Sequence, residues 1–594
     1  MVEKVPVYDY VIVGAGSAGC VLAARLSENP ATRVLLVEAG PPDDADEIHI
    51  PAALNLLFQS TYDWDYRTVP QERAAGRAIY WPRGRTLGGS SSMNAMIYIR
   101  GARHDYDTWR DEYDCTGWGY TDLMPYFRRA EDNTRGASAY HGVGGPLTIS
   151  DLKHRSALTR AWLVSARDCG LGENEDFNGP QQDGSGFYQV TQRDGRRWSA
   201  ADAFLRPARS RPNLEVLTDA WVTQIVVEAG RAAGVRYLRR GTEEMARADA
   251  EVILAAGAVG SPQLLMLSGI GPAGHLHDLG IVVHVDSPGV GANLSDHPVV
   301  AAMWATPRKR GLWEESTPVN LARWRLRHSG PLTSNVAEAG GFSRTRPSLA
   351  APDLQWHVLP TPFERNGLGD PKTRALSVLV TLVDVGSRGR IRLRSADPRH
   401  KPAIDPAYLS DGSDIEPLVQ GIRMAREFAA TGPLAKACKS ELSPGPDVRT
   451  DVEIREFIRR DLGTLFHPVG TCAMGGDSPL AASKLTSVVD PELRVRGVEQ
   501  LRVVDASVMP VVPRGNTNAP TIAIAERAAD LIIGRAPLEP TDPALAGEPL
   551  RGRAGLTRAT IGSDCCPHWG TDLNWWCLRP SAVALAVQQG GDRQ

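Results

Sequence analysis

A chain of 594 residues that is 42% hydrophobic and 23% charged can bury a large core, and its 58 glycines and 43 prolines call for many turns rather than a simple helical bundle. A formal net charge of −3 offers no basic surface for a polyanion, so nucleic acid is excluded as a partner class. No apolar run is long enough to span a bilayer, which leaves membrane contact peripheral at most, and eight cysteines without framework spacing fit a reducing compartment.

The first apolar run, Tyr8 to Val13, reads as a strand and leaves no room before it for a secretory signal, so the expectation is a cytoplasmic protein. Gly14, Gly16 and Gly19 follow as GxGxxG, then a helix to about Ser27 and a second strand ending in Glu38. In such a βαβ unit Gly14 permits the tight turn, Gly16 lets the backbone approach a pyrophosphate and Gly19 allows close helix–strand packing. Glu38, nineteen residues beyond Gly19, is placed to accept hydrogen bonds from ribose hydroxyls. The unit predicts a dinucleotide site without separating FAD from NAD.

Residues 41–83 are polar and aromatic and read as a loop or lid, and GRTLGGSSSMN (84–94) reads as backbone able to wrap a ligand. Short strands are expected at 213–217, 221–227, 233–237 and 250–255, the last leading through a Gly257 turn into a helix from about Ser261 with Pro262 in its first turn. Residues 301–465 alternate strands and loops, with a helix near 414–430, and form the expected substrate lobe. LRVVDASVMP (501–510) is a strand ending in Asp505, and 521–533 is an amphipathic helix stopped by Gly534.

The fold class is therefore α/β: a Rossmann-like nucleotide domain interleaved with an α+β substrate domain. The expected organisation is residues 1–300 for the nucleotide region with its excursions, 301–465 for the substrate region, 466–535 for a return to the nucleotide domain, and 536–594 for a poorly ordered tail. Cys565, Cys566, His568 and Cys577 in that tail match no zinc spacing, so no metal is expected.

The chemistry is read from two segments near the end. His467 lies in LFHPVGTCAMG and Asn518, fifty-one residues later, in GNTNAPT. An imidazole that takes a proton at neutral pH, beside an amide that fixes the oxygen losing it, suits alcohol oxidation next to a redox cofactor. His104, His141 and His297 have no comparable context and read as surface or structural residues, and Met93, Met96 and Met474 as packing.

GRTLGGSSSMNAMIYIRGARHDYD (84–107), GAVGSPQLLMLSGIG (257–271), HPVGT and GNTNAPT together resemble the glucose–methanol–choline (GMC) oxidoreductases, over about residues 5–535, and most resemble the choline dehydrogenases and bacterial alcohol dehydrogenases among them. The resemblance implies FAD, an antiparallel sheet in the substrate domain and a buried site facing the flavin. It implies that Gly14, Gly16, Gly19 and Glu38 hold the ADP part, that Val222 meets adenine, and that Gly88, Gly89 and Asn94 line the flavin. Asp505, Ala506, Asn516, Thr517 and Thr521 would surround the ribityl and pyrophosphate. Met93 stands where some members carry the histidine that attaches FAD covalently, so noncovalent FAD is expected.

Glu338 and His357 fall near positions where choline-oxidising members place a carboxylate for the ammonium group and an additional histidine. The expected reaction is oxidation of a small primary alcohol to an aldehyde, with hydride passing to flavin N5, His467 as base and Asn518 holding the oxygen. Electrons would go to a quinone or other carrier, or to O2 in an oxidase. A non-redox flavoprotein of the lyase or photodecarboxylase kind, and an inactive FAD-binding protein, are the alternatives on the same fold.

Overall fold

The computed structural model describes residues 5–545, apart from residue 310 and residues 370–372. Two seven-stranded sheets carry the architecture. In the first, strands Leu214–Leu217, Val34–Val37, Val7–Val13, the end of Thr242–Leu254 and Leu501–Val503 lie side by side and parallel. Every residue of Val34–Val37 is buried, as both faces of a parallel sheet require. The start of Thr242–Leu254 runs on as an antiparallel arm with Arg231–Arg239 and Ala220–Glu228. That strand begins eight residues before the expected Ala250 because TEEMARAD is charged and exposed only along the solvated arm.

The second sheet is wholly antiparallel, in the order Glu441–Ser443, Pro298–Ala305, Ala375–Leu382, Leu354–Leu359, Ala339–Ser343, Gly184–Phe187, with Gly463–Thr464 pairing alongside Pro298–Ala305. Helix Ile415–Ala430 packs on it through Leu418, Val419, Ile422 and Ala425. The sheet takes one edge strand from residues 184–187, well before the expected boundary at 301, so the two regions interleave more deeply than the sequence suggests. The cause is a pair of glycines: a Cβ on Gly341 would lie 2.1 Å from Gly184 O, and one on Gly186 1.9 Å from Asn174 O, so this edge closes only without side chains.

Helix Gly257–Leu267 starts four residues earlier than expected, with its Gly257 N–H donating to Asp505 Oδ2 at 2.9 Å. Pro262 thus falls inside the helix, where it leaves the carbonyl of Ala258 without its intrahelical donor. The Thr471 hydroxyl donates to that carbonyl at 2.6 Å and ties the helix to the segment carrying His467. Residues 536–545 are folded against helix Tyr120–Ala130: Leu538 N–H donates to Tyr126 Oη and Arg103 pairs with Asp542. The expected disorder of the tail fails for these ten residues; the cysteines and histidine at 565–577 lie outside the described residues.

Candidate active site

A cavity of about 960 Å3 opens at the carboxyl ends of the parallel strands and runs to the antiparallel sheet. At its nucleotide end two helices, Ser17–Leu26 and Asn518–Ile532, begin beside the cavity, neither with a side-chain cap nor an acid in its first turn. Their N–H groups and positive dipole ends are free for an anion. Gly14 has φ +96°, and a Cβ there would lie 2.7 Å from Ala255 O; a Cβ on Gly19 would lie 1.9 Å from Gly14 O. Gly16 differs, since its Cβ would meet only Ala255 O at 3.9 Å, leaving room for a ligand rather than for packing.

Glu38 accepts from Ala15 N–H at 2.8 Å and Gly40 N–H at 2.9 Å, and burial pushes its carboxyl up to about 7 against the pull of those donors and of Arg85. Val222 lines the cavity from the strand whose Ala220 N–H donates to Glu38 O. Gly89, Asn94, Asp505, Ala506, Thr517 and Thr521 also face it. Asp505 is buried, its carboxyl raised by burial, and it accepts from Gly257 N–H and the Ser261 and Ser507 groups, which joins three segments beneath the site. A glycine cradle, two uncapped helix ends and an acid at the cavity wall fit a flavin dinucleotide.

At the other end sits His467. Phe466 before it has φ +68°, an unfavourable conformation for a bulky residue, and is held there by donors and acceptors on both sides. Arg83 donates to Phe466 O at 2.5 Å, and buried Asp296 accepts from His467 N–H at 2.7 Å and from the hydroxyls of Tyr408 and Thr464. The imidazole Nε2 lies 3.2 Å from Asn516 Nδ2, and Nδ1 lies 3.0 Å from His297 Nδ1. Burial holds His467 well below the ordinary imidazole range, with His297, His357 and Arg83 acting in the same direction, so the ring is neutral at pH 7.

Asn516 is fixed by its own loop. Arg514 pairs with Asp105 at 2.5 Å and Asp384 at 2.7 Å, and Gln182 donates to Arg514 O at 2.7 Å. His357 lines the cavity, with Nδ1 3.4 Å from the Thr381 hydroxyl, and burial pushes it down to about 3.

Both halves of this arrangement have counterparts. A family model described as GMC oxidoreductase matches residues 8–299 and its C-terminal companion matches residues 385–525. The chain is 44% identical over 547 residues to the alcohol dehydrogenase [acceptor] of Pseudomonas putida, covering 90% of this chain and 97% of that one. It is 45% identical over 540 residues to the mitochondrial choline dehydrogenase of Homo sapiens, covering 89% and 90%. The chain belongs to the GMC oxidoreductase family. A solved structure of formate oxidase from Aspergillus oryzae RIB40, concerned with modification of its FAD, superposes with a TM-score of 0.83 at 30% identity over 90% of this chain and 99% of that one. This GMC chain is an FAD-dependent oxidoreductase acting on CH–OH donors.

Five residues depart from the sequence expectations. Asn518 does not meet His467: helix Asn518–Ile532 begins three residues earlier than expected, and Asn518, its first residue, accepts from the Ser17 hydroxyl at 2.7 Å. Asn516, expected beside the cofactor chain, is the amide at His467. Glu338 does not line the cavity; it is fully buried and accepts from Ser156 N–H, Thr159 and Ser334 at 2.7–2.8 Å, which makes it a structural anchor. Gly88 lies under the loop, its N–H donating to Ala15 O, and a Cβ there would meet Ser92 Oγ at 2.2 Å, so Gly89 alone of the pair faces the cavity. His297, read as surface or structural, is buried and bonded to His467; its DHP context carried no periodic or spacing signal.

Among the described residues no group of three potential ligands could hold a metal ion, and no helix is long and apolar enough to cross a membrane.

Proposed function

We propose that this GMC oxidoreductase converts an apolar primary alcohol to its aldehyde and passes the electrons to a quinone or other carrier. The observation that carries the reading is a neutral, buried imidazole whose Nε2 and a neighbouring amide N–H meet at the end of a cavity walled by hydrocarbon. Ile97, Ala337, Leu359, Leu379, Phe363 and Leu465 form that wall, packed as one cluster. The acids lining the cavity are Glu38, Asp46, Glu47 and Asp505; Glu38 and Asp505 belong to the nucleotide end, and Asp46 is paired with Arg325 at 2.7 Å. Glu338 is turned away, and among the described residues none of the four lining carboxylates belongs to the hydrocarbon cluster, so that wall itself supplies no anion to balance a quaternary ammonium ion.

Bound FAD supplies the hydride acceptor at flavin N5 and the route for electrons onward. The protein's part is to place the alcohol and move its proton. The hydroxyl enters between His467 Nε2, which accepts its proton, and Asn516 Nδ2, which donates to the oxygen as charge develops there. The hydrocarbon wall excludes water and strengthens both interactions. The name of the Pseudomonas putida relative, an acceptor-linked dehydrogenase, supports a carrier rather than O2 as oxidant.

FAD is held without a covalent bond, because loop 88–94 offers the cavity Gly89, Ser90, Met93 and Asn94 and neither histidine nor cysteine. Acid precipitation should leave the yellow colour in the supernatant; colour retained in the pellet would refute this. Under anaerobic, dark conditions, medium-chain 1-alkanols and benzyl alcohol should bleach the flavin band at concentrations where choline does not. Bleaching by choline alone would overturn the substrate class.

A further inference from the structure

Whether His467 can accept a proton at Nε2 depends on its tautomer, and a chain of buried hydrogen bonds fixes that choice from the antiparallel sheet. Tyr188 Oη lies 2.5 Å from the carbonyl oxygen of Trp356. A carbonyl only accepts, so the phenol's single proton is committed there and its lone pairs can only accept. Gln355 approaches Tyr188 Oη at 3.5 Å and Asn516 Oδ1 at 3.2 Å through one atom, which must therefore be the amide nitrogen Nε2. Asn516 is then oriented with Oδ1 towards Gln355 and Nδ2 towards His467 Nε2, which must be the bare, accepting nitrogen. The ring proton falls on Nδ1 and is donated to His297 Nδ1 at 3.0 Å.

Reversing the two amides would set Gln355 Oε1 against a phenol oxygen with no proton left to give, lone pair against lone pair. A separate observation shows that the first link is built into the fold. Gly340 sits beside it in the neighbouring strand, where a Cβ would lie 1.8 Å from Trp356 O and 2.5 Å from Tyr188 Oη, so the phenol reaches the carbonyl only because that position has no side chain. Burial raises the phenol well above its ordinary range and keeps its proton in place. Tyr188 is fully buried and Gln355 is too, and neither lines the cavity.

We propose that Tyr188 and Gln355 are positioning residues that act through Asn516 to hold His467 in the tautomer with Nε2 free to take the alcohol proton. This rests on His467 acting as the base, and its test is read without turnover. In holoenzyme labelled with [15N]histidine, His467, assigned by its loss in His467→Ala, should show a protonated Nδ1 and a bare Nε2 in the absence of alcohol. Gln355→Glu puts an acceptor where the donor was, so Asn516 should turn its Nδ2 to residue 355 and its Oδ1 to His467, and Nε2 should become protonated. Flavin reduction at saturating alkanol should then fall about 100-fold or more, the range of a lost general base, with alkanol affinity changed less than about threefold. Tyr188→Phe, which releases Gln355 without adding charge, should give a mixture of the two tautomers and an intermediate rate, and it serves if Gln355→Glu does not fold. A protonated Nε2 in the wild type, or an unchanged spectrum in the variants, would overturn the proposal. Normal flavin reduction in His467→Ala would instead overturn the base itself and leave the tautomer result standing.

Discussion

At the residue scale the decisive difference is between two asparagines two positions apart. Asn516 ends an irregular loop pinned by the Arg514 pairs, so its amide is held against the imidazole; Asn518 begins a helix and turns to Ser17. From sequence the two are indistinguishable, because GNTNAPT carries no periodicity until the helix is under way, and a helix can start either side of Pro520. Asn516→Ala should slow flavin reduction about 10-fold or more, the cost of one hydrogen bond made to developing charge, whereas Asn518→Ala should stay within about threefold. Equal losses, measured by anaerobic stopped-flow, would return the role to Asn518. His297 was illegible for a related reason: its partner is 170 residues away in the chain, and only sheet pairing between Pro298–Ala305 and Gly463–Thr464 brings them together.

At the element scale the first βαβ unit was readable almost residue by residue, since its hydrogen bonds and packing are local. The glycines in it divide by what a methyl group would meet. Gly19→Ala should destabilise the protein by about 1–3 kcal/mol, since the new Cβ overlaps a backbone carbonyl that cannot move aside. Gly16→Ala has φ −75° and open space before it, so it should melt close to the wild type while losing flavin on gel filtration. Matched melting and flavin content in both variants would contradict this division. The antiparallel sheet was legible as strands but not as a sheet: nothing in residues 184–187 announces that they close its far edge, because the signal is the absence of side chains on Gly341 and Gly186.

At the scale of the whole molecule, a dinucleotide-binding α/β domain followed from the first βαβ unit and FAD from the family resemblance of residues 84–107, 257–271 and the two late segments, and the substrate class did not follow. Glu338 had the right residue type near the right segment, yet three protein donors consume its charge inside the core. The pocket is instead defined by a hydrocarbon cluster assembled from residues 97 to 465, a pattern with no linear signature. The same long-range assembly keeps His467 neutral: burial above all, with His297, His357 and Arg83 acting in the same direction, holds its pKa low, so the base form persists well below the ordinary midpoint near pH 6.5.

The most direct measurement is anaerobic stopped-flow reduction of the flavin by a medium-chain 1-alkanol, from about pH 8 down to about pH 5, in the wild type and in His467→Ala. A base that must be unprotonated, with its pKa lowered, predicts a wild-type kcat/KM that does not halve near pH 6.5, and a variant slower by about 100-fold or more across the range. Reduction of His467→Ala at close to the wild-type rate would contradict the account.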